Sequence, residues 1–135
     1  MWTVPSNMTL TRLTDYSQIT ESNTTNAECY VTVPNGCVIE FDFKQVDGSL
    51  NQFFFNIRTT ANNYKGGDNL YNVNGSLDTW IHLKIVIGNG TCTVYNGFNS
   101  HSSTYNISDA NLRFGLNMSG DATEYHFKDF RVYPI

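Results

Sequence analysis

Apolar and polar residues alternate with a period of two along much of the chain, the pattern of strands that turn one face to a core and the other to water. In Cys37 to Lys44, CVIEFDFK, the residues Ile39, Phe41 and Phe43 share one face while Glu40, Asp42 and Lys44 share the other. Asp47-Gly48 then opens a turn, and Phe53, Phe55 and Ile57 repeat the pattern. The polar stretch from Thr59 to Asn69, TTANNYKGGDN, reads as a long loop, with Leu70 to Val73 as a short strand after it. Trp80 to Tyr95, WIHLKIVIGNGTCTVY, reads as a hairpin about a type I′ turn at Asn89-Gly90. Counting outward from that turn sets Ile87 opposite Cys92 and Ile85 opposite Val94 on the core face. Lys84 then faces Tyr95 on the other side, where Trp80 and His82 join it. Leu112, Phe114, Leu116 and Met118 mark another strand, and Tyr125 to Tyr133 a last one with a bulge near Asp129. No segment carries a convincing amphipathic helical period.

A chain of 135 residues fits one domain, spanning 1–135, and a domain of that size buries roughly two thirds of its unfolded surface. Phe, Tyr, Thr, Val and Ile are plentiful and Ala, Glu and Lys scarce, which favours strands. The formal charge is only −4 and the basic residues are scattered, so nucleic acid is not an expected partner. No stretch approaches the ~20 apolar residues that cross a bilayer, so membrane insertion is not expected either. The start, MWTVPSN, lacks the basic and apolar regions of a secretion signal. That suggests a domain excised from a longer surface protein, or a virion protein that needs no signal.

Cys29, Cys37 and Cys92 form no metal-ligand spacing, and their odd number leaves at least one outside any internal disulfide. If Asn35-Gly36 is a two-residue hairpin turn, Cys29 and Cys37 fall on opposite faces of the ribbon and do not bridge. Cys37 to Cys92 is the one internal pair worth entertaining, and three buried free thiols are the favoured reading. Asn-x-Ser/Thr sequons start at Asn7, Asn23, Asn74, Asn89, Asn106 and Asn117. About three would arise by chance at this composition, so a glycosylated surface and a merely Asn- and Thr-rich one both remain open.

IEFDF, DTWIHLKIVIGNGTCTVYNG and FKDFRVYPI together resemble the concanavalin A-like, laminin-G-like jelly-roll modules, from about Cys37 onward. The resemblance implies an all-β, two-sheet antiparallel jelly-roll sandwich in which the last strand closes the sheet beside the first. It also implies a concave face or rim loops used for ligands. Calcium is the cofactor it makes plausible, with Asp47, Asp68, Asn69 or Asp129 as loop oxygens, although no dense Asp/Asn/Gly calcium loop is present. Otherwise no cofactor is expected.

The same resemblance raises an enzyme reading, because family-16-like glycoside hydrolases carry Glu-x-Asp-x-Glu on one strand of this fold. Here the segment is Glu40-Phe41-Asp42-Phe43-Lys44, and a lysine can serve neither as nucleophile nor as acid. Glu40 and Asp42 then read as an ordinary polar face balanced by Lys44. His82, His101 and His126 show no ligand spacing and read as polar residues at or near the surface.

A sugar site needs an aromatic platform and planar polar groups that match vicinal hydroxyls. The loop with Asn62, Asn63, Tyr64, Lys65, Asp68 and Asn69 offers both, with Gly66 and Gly67 permitting close approach. The face with Trp80, His82, Lys84 and Tyr95 offers a second place, widened by Glu40 and Asp42 if those strands face the same way. Tucking under a neighbouring loop as core is the alternative reading of Trp80. The loop from Gly97 to Tyr105 is a third, weaker candidate. The expected function is a non-catalytic carbohydrate-binding or cell-attachment module of a microbial adhesin or phage tail. Its partner would be a glycan or cell-surface receptor, at the cell surface, outside the cell or on a virion. A homo-oligomeric or scaffold module of a virion or surface layer is the alternative.

Overall fold

The computed structural model describes residues 1–22, 27–49, 52–69, 76–118 and 120–135. Among them the chain runs through β1 (Met8–Arg12), β2 (Ser17–Glu21), β3 (Ala27–Pro34), β4 (Cys37–Gln45), β5 (Phe53–Arg58) and β6 (Tyr64–Asn69). β7 (Ile81–Gly88), β8 (Thr91–Asn96), β9 (Asn99–Thr104), β10 (Asn111–Met118) and β11 (Glu124–Pro134) follow. No described residue is helical. A seven-stranded sheet in the order β1-β2-β11-β4-β7-β8-β9 packs on a four-stranded sheet in the order β3-β10-β5-β6. Every pairing within them is antiparallel.

The alternation builds the core as the sequence predicts. Ile39, Phe41 and Phe43 of β4 and Leu83, Ile85 and Ile87 of β7 meet Phe55, Ile57, Phe114 and Leu116 from the opposite sheet, all fully buried. The β7–β8 hairpin has the predicted register, with Ile85 opposite Val94, Ile87 opposite Cys92 and Lys84 opposite Tyr95. Its turn residues Asn89 and Gly90 have φ of 54° and 76°, as a type I′ turn demands. The last strand carries its bulge between Lys128 and Arg131, with Asp129 at φ 55°. That strand lies between β2 and β4 with β1 beyond it, so it is not the immediate neighbour of the first strand.

Asn35-Gly36 does not close a hairpin. β3 pairs with β10 in one sheet and β4 pairs with β11 and β7 in the other, so the turn carries the chain across the sandwich. Cys29 and Cys37 therefore stay unbridged because they sit in different sheets, and all three cysteines are free and buried. Cys37 and Cys92 both flank Ile87, from strands on either side of it. Two strand spacings separate them by ~9.5 Å, beyond the ~7 Å limit for a disulfide.

The predicted loop from Thr59 to Asn69 is half strand. Thr59 to Asn63 is a tight turn closed by hydrogen bonds from Asn62 N to Thr59 O and from Thr59 N to Asn63 O. Tyr64 to Asn69 then pairs with β5 as an edge strand. Its glycines serve the fold, because a Cβ on Gly66 would stand 2.5 Å from the Thr104 carbonyl oxygen, where β6 meets β9. Without side chains there, the free edges of the two sheets approach closely and close one side of the sandwich. Ser103 Oγ donates to Gly67 O across that seam, and His101 Nδ1 pairs with the buried Asp68. The strand expected at Leu70 to Val73 lies outside the described residues.

Candidate functional site

The charged residues and histidines of β4, β7 and β11, with Tyr95 of β8, face outward on the seven-stranded sheet, and antiparallel register sets opposite charges side by side. Arg131, Glu40, Lys84 and Tyr95 form one row across four strands. Lys128, Asp42 and His82 form the next. Glu40 Oε2 accepts from Arg131 at 2.7 Å, His82 Nδ1 lies 2.8 Å from Asp42 Oδ1, and His82 Nε2 lies 3.6 Å from Glu40 Oε1. Side chains across a strand pair lie closer than same-face neighbours along one strand. The carboxylates are accordingly balanced from β7 and β11 rather than by Lys44, which instead lies 3.7 Å from Asp78.

Burial works against ionising Glu40, but hydrogen bonds from Tyr133 and Arg131, the guanidinium charge and His82 outweigh it. The carboxyl is held below its ordinary value of 4.5 and is an anion near neutral pH. The stabilisation it draws from these partners is present above that ordinary value and is lost only as pH falls through the lowered one. A group so held is no proton donor. The face therefore offers fixed acceptors and donors, with the ionised Glu40 among them.

Glu40, His82, Lys84, Val86, Tyr95 and Gly97 line a depression of about 300 Å³ on this face. Tyr95 stands at its rim, 36% exposed. Trp80 precedes β7 and is half-buried, neither open on the face nor tucked into the core. The Lys128 and Lys44 ammonium groups lie 4.2 and 5.1 Å from its ring centroid, and Tyr16 meets it edge-on at 6.1 Å. Tyr16 also stacks on His126 at 4.4 Å, and His126 Nε2 is 2.7 Å from Glu124 Oε2. Each of the three histidines thus has a carboxylate partner, Glu124 two residues away on the same strand for His126, and for His82 and His101 one from a distant strand, which spacing in the sequence does not reveal.

The other predicted residues lie elsewhere. Tyr64 and Lys65 are exposed on the four-stranded sheet, Asn62 sits in the turn before β6 at φ 74°, and Asn63 is held there by Thr59. Asp68 points into the sandwich toward His101 and does not line the Tyr64 surface. Asn69 ends β6 opposite Phe54. The Asn62–Asn69 segment and the Trp80–Tyr95 face thus belong to different sheets and do not form one site. The oxygens named for calcium are dispersed as well, since Asp47 accepts from Thr123 N and Glu124 N, Asp68 pairs with His101, and Asp129 stands at the bulge. Among the described residues no cluster of three or more His, Cys, Asp or Glu side chains is arranged to hold a metal ion.

Another depression, of about 430 Å³, was not legible in the sequence. It lies at one end of the sandwich, where Trp2, Arg12, Asp15 and Tyr16 meet the β11 bulge at Lys128 to Phe130. The predicted bulge was its only signal, since bulges redirect side chains. Tyr16 and Lys128 belong both to this cleft and to the Trp80 group.

No family model matches the chain, and no curated protein matches its sequence. Solved structures do match its fold. The carbohydrate-binding module CBM66 from Bacillus subtilis superposes with a TM-score of 0.66 at 12% identity, over 97% of this chain and 94% of that one. A Bacillus subtilis protein of unknown function with a galectin-like fold gives 0.63 at 7% identity, over 98% and 88%. The marine PL7 alginate lyase of Zobellia galactanivorans gives 0.55 at 11% identity, over 87% and 77%. These similarities establish a concanavalin A-like jelly-roll sandwich.

Proposed function

We propose that this domain is a non-catalytic carbohydrate-binding module, of the kind that attaches a microbial adhesin or phage tail fibre to a surface glycan. The observation that carries the reading is the depression in which Tyr95 stands beside Glu40, held ionised and oriented by Arg131, and His82, held by its contact with Asp42. A tyrosine ring packs against the apolar face of a sugar, and fixed carboxylates accept from vicinal hydroxyls. From β8 to β2 the outer face spans four strand spacings, ~19 Å, which suits an oligosaccharide lying across the strands. The sandwich shared with a module named as carbohydrate-binding agrees with this reading. An alginate lyase shares the sandwich too, and the non-catalytic reading is supported by Lys44, third in the run Glu40-Phe41-Asp42-Phe43-Lys44 where a retaining hydrolase needs a carboxylate.

A glycan array probed with the domain in multivalent form, with and without calcium, tests the proposal, since shallow sites gain much of their avidity from multiple copies. A defined set of glycans should bind, and Tyr95→Ala should weaken that binding about tenfold while leaving the fold intact. Binding untouched by both Tyr95→Ala and His82→Ala would remove this face from consideration.

A scaffold role through protein contacts is favoured by one other feature. Val132, Tyr133 and Ile135 leave apolar surface exposed at the end of β11, beside a depression of about 320 Å³ lined also by Thr32, Pro34 and Cys37. Under that reading the chain is a stable oligomer by light scattering, Val132→Asp dissociates it, and the array stays silent.

A further inference from the structure

The outer face of the four-stranded sheet carries a second constellation, on the side of the sandwich opposite Tyr95. Glu28, Tyr30, Arg58, Asn62 and Arg113 line a depression of about 270 Å³, drawn from β3, β5, β10 and the turn before β6. Arg58 reaches Glu28 through Nε and Nη2 at 3.1 to 3.2 Å, and Asn56 Nδ2 donates to Glu28 Oε2 at 2.7 Å. The carboxylate is therefore fully engaged. It can lie flat on the sheet because position 115 is glycine, where a Cβ would collide with the Glu28 carboxyl.

Arg113 is different. Its guanidinium sits 3.9 Å from the centre of the Tyr30 ring, and among the described residues it meets no carboxylate. Stacking on tyrosine fixes the plane of the fork while leaving its N–H edges available, the state in which an arginine receives a planar carboxylate. Arg58, whose fork is engaged by Glu28, lies 5.6 Å from the centre of the Tyr64 ring, and Tyr64 is 58% exposed. Two guanidiniums face one carboxylate here, so the depression carries a surplus of one positive charge in a chain of net charge −4.

We propose that this face is a second binding site, selective for a sugar bearing a carboxylate such as a hexuronate. Arg113, its plane fixed by Tyr30, receives the carboxylate, and the Asn62 side chain meets hydroxyls. A single surplus charge suits one carboxylate per residue, whereas a polyphosphate backbone is held by several cations in a row.

Amide and arginine Nε resonances of the intact chain, followed during titration with sodium glucuronate, glucose and sodium acetate, test it. Glucuronate should give saturable shifts at Tyr30, Arg58, Asn62 and Arg113, with glucose and acetate each far weaker. Arg113→Gln should lower glucuronate affinity about tenfold, and Arg113→Lys should recover only part of it, because lysine keeps the charge without the planar fork. Equal response to glucose would overturn the carboxylate's role, and equal affinity for acetate would overturn the sugar's. Shifts gathered around Tyr95 and His82 would assign the ligand to the other face and sink this site while leaving the first proposal standing.

Discussion

Replacing Phe41 by alanine lowers the unfolding free energy by about 3–5 kcal/mol, with a fall in melting temperature of about 10–20 °C. Phe41 is 0% exposed on β4, the central strand of the larger sheet, and its ring contacts those of Phe43, Phe114 and Phe130 at 6.3, 6.4 and 5.6 Å. Phe114 comes from the opposite sheet, so the ring is part of what holds the two layers together. Its removal leaves a cavity that rigid antiparallel strands on both sides cannot collapse into. Because a whole domain is stable by only ~5–15 kcal/mol, that one change removes a large share of the total. Urea unfolding followed by circular dichroism measures it. Phe98→Ala is the contrast, since Phe98 is 109% exposed beyond the β8 strand and its loss should move stability by less than ~0.5 kcal/mol. Similar losses for the two variants would mean that Phe41 does not sit in the core described above.

The strands that alternation revealed are those with one apolar and one polar face. β4, β5, β7, β8 and β10, and the first half of β11, bury their core-facing apolar residues, and the register of the β7–β8 hairpin followed from the two positive-φ residues at its turn. β6 and β9 stayed hidden because their sequences, YKGGDN and NSHSST, contain almost no apolar residues. They exist because each pairs with one well-specified neighbour, and because Gly66 and Gly67 let the two free edges meet. β3 was misplaced for a different reason. An Asn-Gly turn between two alternating runs carries the same signal whether the chain folds back within a sheet or crosses to the other one, and only the long-range partners β10 and β11 decide.

The candidate site was legible as a face but not as a network. Period two put Glu40, Asp42, His82, Lys84 and Tyr95 on one side of their strands, and the hairpin register put Lys84 beside Tyr95. Nothing local told that β11 would lie against β4, which is what brings Arg131 to Glu40 and Lys128 to Trp80. The loop reading failed where it treated an edge strand as open chain. A bulge in β6, where Arg58 pairs with Tyr64 but Ile57 with Gly66, flips the alternation, so Asp68 turns inward to His101 while Tyr64 stays on the surface. The Glu28, Tyr30 and Arg113 group could not be read at all, since its members lie on strands paired across more than 80 positions of sequence, as Glu28 with Asn117.

The buried thiols make the fold sensitive to alkali, with stability falling from about pH 9 upward by roughly 2–5 kcal/mol near pH 11. Burial raises Cys29 from 9.0 to about 12, in spite of its 3.2 Å hydrogen bond with the Tyr125 hydroxyl, and raises Cys37 to about 11. Cys92 is raised by burial as well. Tyr125, fully buried, is pushed well above its ordinary value by burial first and then by Cys29. Each of these groups keeps its proton in the folded state at a pH where the unfolded chain has already lost it. The folded state therefore binds more protons than the unfolded one, and stability is complete below the unfolded value and lost as pH rises through the folded one. Each thiol contributes at most ~1.4 kcal/mol per pH unit in that window. Urea midpoints at about pH 8 and about pH 10.5 measure the slope, and Cys37→Ala should make it shallower by one thiol's share. The same burial should keep all three thiols silent to a disulfide reagent in the native protein and release all three on unfolding. A slope that Cys37→Ala leaves unchanged, or a thiol that reacts at once in the folded chain, would show that water reaches the seam between the sheets.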